Sequence, residues 1–541
     1  MSCCDNISSD LNDVETNLQS NILDLQNNLQ SNILNVQNNL QSNIDNINPG
    51  PQGDTGPQGD TGPSPAVNEN EIIYQGTAGL TGISKFTYLE SSLSGLSLQK
   101  VNLALGINAG QTGQELTSIA LGYQCGQTSQ GTGSISVGSH GTGQLSQGGS
   151  TGYAISIGAG SGNTNQGAYT TSIGLKAGEI EQGESSVAIG SFAGQTNQKE
   201  LCVAIGNASG QISQGTSSVA IGQASGQNDQ KEYSVAIGFS SGQTDQQDKS
   251  IAIGYFSGQT GQQDKSVAIG YFAGQTGQKF RSVAIGVAAY NNQGTSSVAI
   301  GDNSGGNNQG DSCVSISRLA GYNNQGPESV AIGYSAGYTS QGTTCVAIGR
   351  LAGSTNQGTS SIAIGFNAGL NTQGTESVAV GPSAGNNNQG TNSVAIGFLA
   401  GRENQGPESV AIGFGAGNTS QGTSSVAIGF DAGYTSQGPS SVAIGNVAGN
   451  NNQGTNSVAI GNNAGNTSQG TGSIAIGLNA GESSQPDNSI VIYTGISGGI
   501  GSAGISGGIT IGPVGTKGSA VASDKELYYD TLTGQLFYVV P

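Results

Sequence analysis

The sequence predicts a mainly β protein: a trimeric parallel β-solenoid of 16-residue coils, carried on an N-terminal coiled coil and a short collagen-like triple helix. Three periodicities point to it. A unit of sixteen residues recurs from about 101 to 492, one of eleven residues spans 17–49, and Gly stands at every third place from Gly50 to Gly62. Composition agrees. Gly accounts for 94 of 541 residues, and charged residues are 9%, against roughly a quarter in ordinary soluble domains. The net charge is −19, so the chain offers no electrostatic footprint for nucleic acid or anionic lipid. It is polar without being charged, which sets it apart from charge-driven disordered chains.

Residues 1–48 read as a trimeric coiled coil. Leu18, Ile22, Leu25, Leu29, Ile33 and Val36 alternate steps of four and three, and eleven residues over three turns give a straight or slightly right-handed supercoil. The other faces are Asn, Gln and Ser, which hold a lone helix poorly, so the helix calls for partners. Pro49 stops it. Residues 49–64 then form a collagen-like neck, because only Gly fits the axis of three wound polyproline II chains. The N-terminus shows neither a basic n-region nor an apolar h-region, and no run of about 18 apolar residues occurs, so neither a secretory signal nor membrane insertion is expected. Cys3 and Cys4 are placed to crosslink neighbouring chains or to sit in a disordered end.

After a β transition segment at 65–100, the shaft at 101–492 repeats Ser-Val-Ala-Ile-Gly-x-x-Ala-Gly-x-x-x-Gln-Gly-x-x. The step is 16 except for a 20-residue unit ending at Gly158 and a 15-residue unit ending at Gly301. Alternation along a strand puts Val187 and Ile189 on one face, predicted to point into the coil, and Ala188 on the other, predicted to meet a neighbouring chain. A second regular row holds Gln166, Gln182, Gln198 and Gln214, and later Gln421, Gln437, Gln453 and Gln469. Stacked coils bring equivalent atoms to ~4.8 Å, so these amides are expected to bond one another as a structural ladder. Cys202, Cys313 and Cys345 replace the Ser of the repeat and Cys125 replaces its Ala, which reads as packing rather than a disulfide or zinc framework. One Val and one Ile per coil is a thin core, so burial between chains is expected along the shaft, giving a homotrimer throughout. Residues 493–541 are Gly-rich and end in a predicted hairpin cap, Glu526–Tyr529 against Leu536–Val540.

The unit Ser-Val-Ala-Ile-Gly, followed two residues later by Ala/Ser-Gly, resembles the head repeats of trimeric autotransporter adhesins. That resemblance covers about 390 residues and implies a trimer of left-handed parallel β-rolls. The secretion signal and C-terminal membrane barrel of those adhesins are not legible here, and this unit is longer by its Gln-Gly corner. The order coiled coil, Gly-x-y stalk, β-shaft and small β-tip is similar to virion fibres of large DNA viruses and tailed phages. It implies an N-terminal anchor on a virion or cell surface, and a host-surface glycan or protein as partner. The expected location is the virion surface, with an extracellular or cell-surface position as the alternative.

No catalytic, cofactor or metal site is expected. The single histidine, His140, lies in the long unit without a nucleophile partner, and the sparse carboxylates form no pair suited to glycan cleavage. Six aromatics follow the Ile-Gly in runs and are the candidate receptor contacts: Phe239, Tyr255 and Tyr271, then Phe398, Phe414 and Phe430. Bracing between strands or chains explains them equally. Asp248, Lys249, Asp264, Lys265 and Arg281 alternate in sign at one corner and read as a solvated ionic stripe. The 20-residue unit, with Leu145 and Tyr153, is the expected protruding loop. The chain therefore reads as a non-enzymatic adhesive fibre. A cellular adhesin or filament subunit is the first alternative. An ice- or mineral-binding solenoid, from Thr244, Thr260 and Thr276, and a polysaccharide-cleaving spike follow.

Overall fold

A computed structural model describes residues 102–149 and 151–493, with three short strands at Ile509–Ile511, Leu527–Tyr529 and Leu536–Tyr538. The coiled coil, the collagen-like neck and the transition segment lie outside the described residues. All regular structure among the described residues is strand.

The shaft is a parallel β-solenoid. Each Val-Ala-Ile triplet pairs with the triplet sixteen residues on, as in Val187↔Val203, Ala188↔Ala204 and Ile189↔Ile205, and the ladder builds one 26-stranded sheet. The triplet ending on the interior Gln forms the opposite wall, with Thr196↔Ile212 and Gln198↔Gln214 in register. That wall falls into sheets of seven, seven and three strands, with isolated bridges such as Thr244↔Thr260 continuing it. The first ladder passes Ile492: Ile490–Ile492 pair in parallel with Ile509–Ile511. Leu527–Tyr529 and Leu536–Tyr538 pair antiparallel.

The coil closes through left-handed backbone. In one unit the positive φ values fall at Gly190 (127°), Phe192 (60°), Gly194 (50°), Asn197 (56°) and Leu201 (58°). Two of these positions demand glycine by space as well as by angle. A Cβ on Gly190 would stand 2.5 Å from the Gly206 carbonyl oxygen of the next coil, and one on Gly194 would stand 2.7 Å from Gln198 Oε1.

The faces of the Val-Ala-Ile strand are opposite to the expectation. Ala188 is fully buried, whereas Val187 and Ile189 are half-exposed, and the same pattern recurs at Val426, Ala427 and Ile428. The cause is the bore of the coil. Its interior is filled by the Ala of the strand, the Ala before the second Gly, a Ser and the Gln, as with Ala188, Ala193, Ser186 and Gln198. Two walls so close together leave no volume for branched side chains, which turn outward and form a continuous apolar stripe along the shaft.

Irregular units keep the ladder intact. The 20-residue unit adds one residue between Gly138 and Gln147 and three between Gln147 and Gly158, while Ile135 still pairs with Ile155. The expected protruding loop is instead a tight turn, in which the Gly152 N–H donates to the Gly148 carbonyl at 2.7 Å. Tyr153 lies flat on Tyr169 of the next coil, 5.6 Å between ring centroids. The 15-residue unit loses its residue in a turn, where Ala289 takes the left-handed position (φ 48°), and Val283 pairs with Val298.

Candidate binding surfaces of the shaft

The predicted Gln row is interior. Gln166, Gln182, Gln198, Gln214, Gln421, Gln437, Gln453 and Gln469 are all at most 2% exposed. Each amide braces the two walls of its own coil: Gln198 Nε2 donates to the Val187 carbonyl at 3.0 Å and Gln437 Nε2 to that of Val426 at 2.9 Å. Amide-to-amide bonds join part of the row, from Gln166 to Gln182 (3.1 Å) and from Gln198 to Gln214 (3.0 Å). Such bonds recur as far as Gln341 to Gln357 (3.0 Å), and beyond it the ladder is not made: the Oε1 atoms of Gln421, Gln437, Gln453 and Gln469 have no hydrogen-bond partner. The bond from the amide to the carbonyl of its own coil is common to both parts of the row, so bracing rather than stacking is its constant feature.

A second Gln row escaped the sequence reading. Gln275 donates to Gln259, and the series continues through Gln243, Gln227 and Gln211 to Gln195, each bond 2.9–3.0 Å. Gln195 ends the series on Glu179 Oε2 at 2.7 Å, and Glu179 pairs with Lys176 at 3.1 Å. All six amides point the same way, so their dipoles add, and their donor end meets a carboxylate. The available signal was Gln at the fifth place after the Ile-Gly in six consecutive coils.

The six predicted aromatics sit on one corner and stack in two columns. Centroids are 5.2 Å apart from Phe239 to Tyr255 and from Tyr255 to Tyr271, and 5.1 and 5.0 Å apart along Phe398, Phe414 and Phe430. Phe256 and Phe272 form a parallel column at 5.4 Å that meets the first edge-on. The ring faces therefore lie against each other, and ring edges and tyrosine hydroxyls point outward. Between the two runs the same corner carries residues not singled out from sequence: the Arg350 guanidinium lies 5.9 Å from the Tyr334 ring and 5.5 Å from that of Phe366.

The charged corner differs from its expected form. Among the described residues Asp248, Lys249, Asp264, Lys265 and Arg281 join no ion pair. Lys249 stands 5.9 Å from the Tyr233 ring, and Lys265 and Arg281 stand 5.5 and 4.7 Å from that of Phe280. Exposed carboxylates gain little from pairing in water, whereas a ring anchors a long cationic chain. Beside this corner, Asp245, Gln247, Gly261, Gln263, Asp264 and Phe280 line an open depression of about 600 Å³.

Cys202, Cys313 and Cys345 are buried and free, and they take over the hydrogen bond of the Ser they replace. Cys202 Sγ donates to the Gly215 carbonyl at 2.8 Å, as Ser297 Oγ does to that of Gly310 at 2.6 Å. Burial raises these thiols above their ordinary pKa, which makes them poor nucleophiles. Cys125, also buried, is raised for the same reason. His140 is exposed, with Nδ1 3.0 Å from Ser139 Oγ, and among the described residues no three His, Cys, Asp or Glu side chains gather as metal ligands would.

No curated protein and no solved structure matches the chain. The family model of the YadA head domain repeat matches it in two copies over residues 453–480. Those residues hold the interior Gln453 and Gln469, the strand Val458–Ile460 and the strand Ile474–Ile476, so in these coils the shaft is similar to an adhesin head repeat.

Proposed function

We propose that the chain is one third of a homotrimeric adhesive fibre, attached through its N-terminal region, with its shaft and C-terminal region held outward toward a host-surface glycan or protein. The foremost setting is the surface of a virion; a cell-surface adhesin is the second. No chemistry is performed and no cofactor is bound. The observation that carries the proposal is the outward Val/Ile stripe. Soluble monomers rarely expose a contiguous apolar patch beyond a few hundred Å², and here a half-exposed branched pair recurs in almost every rung of a 26-stranded sheet. Three such flat faces set around a common axis cover one another. The head-repeat similarity supports the same assembly and an adhesive role.

Two measurements test it. The native mass of the full chain should equal three chains; a folded monomer with the stripe in water would overturn the assembly. Binding to host cells should survive in a fragment of residues 70–541 and be lost in one of residues 1–65, weakened only as far as avidity falls. Binding confined to the N-terminal fragment, or degradation of polysaccharide by the fibre, would overturn the functional reading.

A further inference from the structure

We infer that in the coils between 249 and 271 the trimer is closed at each of its three seams by cation–aromatic contacts between chains, with the cation at the leading end of a strand reaching the ring at the trailing end of the same strand in its neighbour. The inference rests on the trimer proposed above and names the side chains that meet at its seams.

The argument begins with one strand. Around Ile251–Ile253 the side chains of Lys249, Ile251, Ile253 and Tyr255 are all at least partly exposed, while Ser250 and Ala252 between them are buried. The outward face thus reads cation, two branched apolar chains, ring. Lys249 and Tyr255 lie at its opposite edges with the whole strand between them, so they cannot meet within one chain. The next rung repeats the pattern with Lys265, Val267, Ile269 and Tyr271. Arg281 leads the following strand, and the preceding strand has a ring at each end, Tyr233 and Phe239.

Cations occupy the leading corner of three consecutive strands and of no other strand among the described residues. Two of those strands end in a ring at the trailing corner, Tyr255 and Tyr271, and the third, led by Arg281, ends in Val287. Within a chain the rings at this corner already stack along the shaft, Tyr255 on Tyr271 at 5.2 Å, and leave their edges and hydroxyls outward. The cations are held upright on rings of their own corner, as Lys265 is on Phe280 at 5.5 Å. Each corner is therefore ordered and outward-facing before assembly.

Cyclic symmetry supplies the contact. When three identical faces are set around an axis with all strands circulating in one sense, the trailing edge of each face abuts the leading edge of the next, at the same height. Tyr255 then meets Lys249 of a second copy, and Tyr271 meets Lys265. Elsewhere the shaft is a near-perfect repeat, so the apolar stripe alone would fit almost as well after a slip of one coil, about 4.8 Å. Cyclic closure excludes that slip, because three copies stepped at each seam would not return to the first in register.

The test uses the full chain with Cys3→Ser and Cys4→Ser, leaving only the buried shaft thiols as background. In this chain Tyr255→Cys is combined with Lys249→Cys, and mild oxidation is followed by denaturing electrophoresis without reductant. A disulfide needs Cα atoms within about 7 Å, which these positions cannot reach within one chain, so any link is between chains. The expected result is loss of the monomer band to a covalent trimer, while either single variant stays monomeric on the gel. The offset pair Tyr255→Cys with Arg281→Cys, two coils out of register, should not link. A protein that is trimeric by native mass but does not link through 249 and 255, or that links through the offset pair, would overturn the seam. A protein that is monomeric by mass would overturn the trimer itself.

Discussion

Ser315 donates its hydroxyl to Gln325 Oε1 at 2.6 Å across the interior of a single coil. Ser315 stands where most coils have Ala, and the same substitution at Ser156 finds the same partner in Gln166 Oε1, also at 2.6 Å. The interior therefore accepts a hydroxyl at this position because the Gln amide turns an acceptor oxygen toward it, one that at Gln325 also receives the Gln309 amide at 3.2 Å.

This relationship sets the tolerance of Ala379, which is fully buried opposite Gln389, whose Oε1 has no partner. Ala379→Ser should change stability by less than about 1 kcal/mol, with the new hydrogen bond offsetting the added polar atom. Ala379→Val, though apolar, should cost about 1–3 kcal/mol by overpacking. Chemical denaturation of the two variants checks the order, and a Val variant as stable as the Ser variant would show that the bore is wider than described.

The bracing role of the interior amide is tested at Gln437. Gln437→Ala removes the bond to the Val426 carbonyl and should cost about 1–3 kcal/mol. Asn446→Ala, at an exposed position of the following coil, should cost almost nothing. Equal melting shifts would mean that the Gln row bears no structural burden.

Asp431 has a raised pKa because burial penalises its charged form, and its Oδ1 has no hydrogen-bond partner. A carboxyl whose folded pKa is raised stabilises the fold below its ordinary value of 3.8, and that contribution is lost as pH rises through the raised value. Asp431→Asn should therefore raise the melting temperature at pH 7, and the advantage should vanish below about pH 3.8. An advantage unchanged by pH would assign the effect to backbone conformation instead.

Val447 has left-handed backbone, φ 49°, which a branched side chain tolerates poorly. The next two coils put Asn463 and Asn479 at that place, joined amide to amide at 3.1 Å. Val447→Asn should stabilise by about 1 kcal/mol, visible as a later midpoint in denaturant. A destabilised variant would show that the valine makes an apolar contact worth more than the strain.

The period, the strand positions and the interior Gln row were legible because a repeat writes its constraints many times over. Which face of Val187-Ala188-Ile189 turns inward was not. Alternation divides the residues into two sets and does not say which is enclosed; hydrophobicity favours the branched set, and only the distance between the walls reverses it. The same narrowness explains why small residues hold the interior places beside the Gln. The aromatic columns were visible as runs, but their stacking was not, since the direction of a ring at a left-handed corner depends on the coil below. The outer Gln series was missed because neighbouring coils replace it with other residues, so it looked like a variable position.

Every rung meets the next through the same atoms, and both irregular units leave that meeting unchanged, as Val283 against Val298 shows across the shortened coil. The shaft therefore behaves like a graduated ruler. Unequal recombination between two coils inserts or deletes whole divisions, each about 4.8 Å, and the new neighbours fit as the old ones did. Reach is heritable in small steps and independent of what either end of the protein does. A lineage that must span a thicker coat or a longer surface polymer needs no new fold, only a change in the number of copies.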